Sequence, residues 1–86
     1  MTSLIEITLK KPIKSFNEPV NVLRRDLDTQ PLTAGDLEVV DEADGAMGKM
    51  IHFIARVFNL TPAEVRTLSV HDFKAASQAV QPFLSE

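Results

Sequence analysis

The sequence predicts an α+β fold, an N-terminal β-hairpin followed by about four α-helices in a single domain over residues 1–86. Three observations predict it. Residues 3–10 alternate apolar and polar at period two. Three pairings of a hydroxyl with a carboxylate three residues on, Thr33 with Asp36, Thr61 with Glu64 and Ser69 with Asp72, mark helix starts. After each of them the apolar residues recur at spacings of three and four.

In the first strand, about 3–10, Ile5, Ile7 and Leu9 share one face while Glu6, Thr8 and Lys10 share the other. Pro12 lacks a ladder donor, so pairing must loosen there or the strand must lie at an edge, with Ile13 to Phe16 continuing raggedly. Asn17-Glu18-Pro19 reads as the connection, and residues 20–25 return as the second strand. Asp26 to Leu32 is polar, holds Pro31 and reads as a loop. The first helix, about 34–42, carries Leu37, Val40 and Ala43 inward, with Gly45 as its left-handed stop.

Residues 46–58 are the most apolar helix. Gly48, Lys49, His52, Arg56 and Asn59 form one narrow polar stripe. Met47, Met50, Ile51, Phe53, Ile54, Val57 and Phe58 occupy the rest, so this helix is central or lends surface to a partner. Thr61-Pro62-Ala63-Glu64 opens a short helix over 62–68, with proline at the first helical position. The last helix, about 70–81, has Val70, Phe73, Ala76, Val80 and Phe83 as an inward stripe. Pro82 should end it and leave Phe83 and Leu84 irregular.

Little in this sequence suggests chemistry. Cysteine is absent, so there is neither a disulfide framework nor a thiolate metal site. His52 and His71 lack a second histidine at metal spacing, no Gly-x-Ser-x-Gly elbow surrounds Ser69 or Thr61, and Gly35, Gly45 and Gly48 are too scattered to cradle a phosphate. Glu38, Asp41, Glu42 and Asp44 read as a solvated acidic helix face. No enzyme, cofactor or metal is expected.

The formal net charge is −3, and within 59–86 two basic residues face three acidic ones, which weighs against a helix-turn-helix regulator bound to nucleic acid. The chain has neither a membrane-length apolar run nor the basic-then-apolar start of a signal peptide, so a soluble intracellular protein is expected. Arg24 and Arg25 point to opposite faces of their strand. They serve either as salt-bridge partners for Asp36 or Glu38, or as a contact for another protein.

The order and spacing of several pieces carry a family resemblance. Ile5, Thr8-Leu9-Lys10 and Pro12-Ile13 open the chain, Leu23-Arg24-Arg25 follows, and Thr33-Ala34-Gly35-Asp36-Leu37 begins the first helix. The most specific part runs from Ile54-Ala55-Arg56 through Leu60-Thr61, Glu64-Val65, Leu68 and Asp72-Phe73 to Phe83-Leu84. Together they resemble the small tail assembly chaperones of tailed bacteriophages of the Mu-like and P2-like kind. Two departures stand out: a longer link between Arg25 and Thr33, and Pro82 where a small residue is usual.

The resemblance implies a non-enzymatic assembly factor in the host bacterial cytoplasm, absent from the mature virion. Its implied partners are the tape measure protein and the tail tube protein, with self-association open and neither nucleic acid nor membrane involved. A structural tail or neck component of the virion is the alternative. The surplus apolar surface of 46–58 places the expected contact at Met50 and Phe53, beside the Arg24 and Arg25 edge. On that expectation, charging Phe53 abolishes tape measure binding and leaves the fold intact.

Overall fold

A computed structural model describes residues 4–84 and has the expected architecture, so the notional strand start at Ser3 lies outside the described residues. Strands β1 (Leu4–Ser15) and β2 (Glu18–Asp26) form a two-stranded antiparallel sheet. Helix α1 (Ala34–Glu38) passes into a 3-10 turn (Val39–Glu42), and α2 (Gly45–Val57), α3 (Pro62–Val65) and α4 (Val70–Leu84) follow.

Both strands run longer than the alternation alone suggests, because the turn is tighter. Ser15 pairs with Glu18, leaving Phe16 and Asn17 as a two-residue loop. Both have positive φ, 54° and 66°, the hand that a type I′ hairpin turn requires. The connection is therefore Phe16-Asn17, and Glu18 and Pro19 belong to β2. Pairing does loosen near Pro12. Between the pairs Thr8–Val22 and Ile13–Val20, residues Leu9 to Pro12 lie opposite Asn21 alone, a bulge that places both Leu9 and Ile13 in the core.

The bulge removes the Lys10 and Lys11 N–H groups from the ladder, and α4 supplies their acceptor. Lys10 N–H donates to Asp72 Oδ1 and Lys11 N–H to Asp72 Oδ2, each at 3.0 Å. Ser69 caps the helix as expected, its hydroxyl accepting from the Asp72 N–H at 3.2 Å. Asp72 does not complete a reciprocal box; its carboxylate, 1% exposed, ties α4 to β1.

Helix α2 is the centre of the core. Phe53, Ile54, Val57 and Phe58 are buried with Leu23 of β2, Val65, Leu68 and the Ala76–Val80 face of α4. Asn59, at φ 57°, ends α2 in the left-handed conformation, and the Leu60 N–H reaches back to the Ala55 carbonyl at 2.8 Å, a Schellman closure with asparagine in glycine's usual place. Thr61 and Glu64 form the expected box: Thr61 N–H to Glu64 Oε1 at 2.8 Å and Glu64 N–H to Thr61 Oγ1 at 3.1 Å.

Three further expectations are corrected. Pro82 lies inside α4, which continues to Leu84. A proline this near the end forfeits one hydrogen bond, and Phe83 packs on the core and holds the last turn in place. Leu37 faces solvent, because the neighbouring Asp36 is the residue drawn inward. Val70 also faces solvent and is not part of the buried stripe of α4.

Candidate functional site

The residues expected to bind a partner do not share a surface. Phe53 is 0% exposed and belongs to the core, so in the folded chain it presents nothing to a partner. Met50 is half-buried against that core. Arg24 is exposed beside Glu6, with Nε to Oε2 at 3.9 Å, a pairing that contributes little in water.

Arg25 has an internal role. Its side chain is 13% exposed. Nε donates to the Gln30 carbonyl at 3.0 Å and Nη2 to the Pro31 carbonyl at 3.2 Å, which fastens the 26–33 loop. Nη1 donates to the Arg56 and Val57 carbonyls at 3.3 and 3.2 Å, at the C-terminal end of α2, where a cation also offsets the helix dipole. Asp36 stands 3.9 Å from Nη2, so the intramolecular pairing with the acidic helix is the one that forms.

Asp36 also accepts from Arg56 Nε at 2.6 Å and from the Thr33 N–H at 2.8 Å. The Arg56 bond, opposed by burial and helped by Thr33, holds its carboxyl below the ordinary value. One node thus joins β2, the loop, α1 and α2. Replacing Arg25 with alanine should lower stability by about 2 kcal/mol and speed amide exchange across 26–33. Arg25→Lys should recover less than half of that, since an ammonium cannot serve this many divergent acceptors. Urea unfolding with hydrogen exchange checks both.

The hollow over this node, about 570 Å³, is polar, and Arg25 within it is committed to backbone carbonyls. A smaller groove of about 320 Å³ has the opposite character. It lies where α2, α3 and α4 diverge. Met47 and Ile51 of α2 form one wall, Val70 and Phe73 of α4 the other, and Val65 with Leu68 the floor. Met47 is 63% and Val70 71% exposed, so two apolar side chains flank the groove in water. Arg66 and Lys74 complete the lining.

The sequence carries part of the signal for this groove, the helix face on which each residue lies, but not which turns are covered. At about 100° per residue, Met47 falls on the same face as Ile54, two turns later. The apolar face of α2 therefore runs beyond its cover. On the same count Val70 lies about 120° around α4 from Ala76, too far to join the buried stripe. By contrast, Asp72 lies about 40° from Ala76, on the buried side.

Among the described residues, no three His, Asp or Glu side chains gather as a metal set, and no helix is long and apolar enough to cross a membrane. A family model described as "Phage tail assembly chaperone proteins, E, or 41 or 14" matches residues 6–85. Neither the curated proteins nor the solved structures yield a match.

Proposed function

The chain belongs to the phage tail assembly chaperone family, and from that membership we propose that it binds the tape measure protein and assists polymerisation of the tail tube around it. The apolar groove between α2, α3 and α4 carries this reading. A long helical tape measure exposes apolar faces until the tube encloses it, and such faces aggregate when left uncovered. A groove flanked by Met47 and Val70 can cover one helical stretch at a time. Its small size makes each contact weak, below the area of a stable interface. Many copies along one chain then protect it by their number, and each remains displaceable by tube subunits.

In this reading the chaperone works in the host cytoplasm and leaves before the virion is complete. Co-expression with the tape measure protein, followed by pull-down and size-exclusion chromatography, tests it. The expected result is a soluble complex, with the tape measure insoluble when expressed alone.

Val70→Asp and Met47→Asp should each reduce capture about tenfold while leaving the fold intact, because substitutions at exposed positions stay within about 0.5 kcal/mol. Undiminished capture by both variants would remove the groove from the mechanism. Recovery of the chain from purified particles would instead favour a structural tail component.

A further inference from the structure

We propose that the groove takes an amphipathic helix whose apolar stripe is flanked by carboxylates, an inference that rests on the groove being the partner contact. The chain carries a formal net charge of −3, yet the lining of this groove holds Arg66 and Lys74 and no acidic residue. Both cations are exposed, and neither forms an ion pair with any described residue. The other arginines of the described fold are paired: Arg24 with Glu6, Arg25 and Arg56 with Asp36.

The two cations come from different elements. Arg66 follows α3 directly, and Lys74 lies one turn from Val70 on α4. An entering helix that inserts aliphatic side chains between Met47 and Val70 therefore passes beside fixed positive charge. Acidic residues next to its anchors are attracted and basic ones repelled. Such rim charges contribute more to choice of partner than to raw affinity. The groove thus selects acidic stretches of a long helical partner and passes over basic ones with the same apolar pattern.

The test uses two synthetic amphipathic peptides of about 18 residues, long enough to sustain helix on binding. They share one leucine stripe and differ only in having glutamate or lysine beside it. Fluorescence anisotropy reads binding to the full chain, and circular dichroism verifies the fold of each variant. The glutamate peptide should bind at least about tenfold more tightly, with the margin shrinking as salt rises. The R66E/K74E double variant should reverse the preference.

Equal binding of the two peptides, or an unchanged preference in R66E/K74E, overturns the proposal. So does failure of both peptides to bind while tape measure capture persists, and in that case the functional reading stands without it. Loss of tape measure capture by the wild-type chain marks failure of the functional reading itself.

Discussion

Phe53→Ala should lower stability by about 3–5 kcal/mol, the usual consequence of emptying a core phenylalanine site. Phe53 is 0% exposed and lies among Leu23, Ile54, Val57 and Val80, which come from β2, α2 and α4. Truncation removes the side chain that all three elements pack around and leaves a cavity that a small domain relaxes into poorly. Against a total of about 5–15 kcal/mol for a domain, this is a large fraction. A urea titration should show the midpoint falling steeply with little change in slope.

Phe53→Asp should be more severe still, because it buries a carboxylate with no partner, and the chain should not fold. Lost capture by Phe53→Asp therefore reports unfolding and carries no information about the partner surface. Val70→Asp and Met47→Asp keep the core and isolate the contact. An unchanged urea midpoint for Phe53→Ala would mean that α2 is not the centre of the fold.

Most of the architecture was legible because local signals agreed with one another. The Thr61–Glu64 box, the Ser69 cap and the Ile5, Ile7, Leu9 alternation each depend on residues within a few positions. What escaped depends on contacts distant in sequence. The pairing of Arg25 with Asp36 is among the expected ones, but its bonds to the carbonyls at the C-terminal end of α2, 31 residues away, are not. Leu37 reads as inward until Arg56, 20 residues from Asp36, draws the carboxylate in and turns the short helix.

The site is the extreme case of that difference. Phe53 and Met47 look alike in an apolar helix, and nothing local says which turn of α2 is covered. The packing of the other elements decides it, with Met47 exposed at the groove and Phe53 enclosed in the core. Pro82 misleads for a related reason. Proline predicts a helix end wherever it stands, but packing of Phe83 outweighs one missing hydrogen bond in a final turn.

Asp72→Asn should cost about 3 kcal/mol at neutral pH, since bonds to a buried charge are among the strong ones and an unmet buried donor adds its own penalty. Asparagine has nearly the same shape but only one acceptor oxygen. It can satisfy either the Lys10 or the Lys11 N–H, and its own NH₂ then faces the other, donor against donor.

The same carboxylate makes stability depend on pH. Burial pushes its pKa up, but the Lys10 and Lys11 N–H groups, the Ser69 side chain and the charge on His71 outweigh that and hold it below the ordinary value of 3.8. A lowered folded-state pKa means that the contribution is complete above the unfolded value. As pH falls through the ordinary carboxylate range, the unfolded chain takes up the proton first, and the stabilisation is lost as pH falls on through the lowered folded pKa. Asp36, also lowered, adds to the wild-type slope in the same direction.

Asp72→Asn should therefore be less stable at neutral pH and flatter in acid, the two curves converging as pH drops. Amide exchange in the Lys10–Lys11 bulge should quicken selectively in the variant, because the bulge loses one of its two acceptor oxygens while the flanking ladder pairs remain. Parallel pH curves for wild type and variant, with protection at both lysines unchanged, would show that some other group holds the bulge against α4.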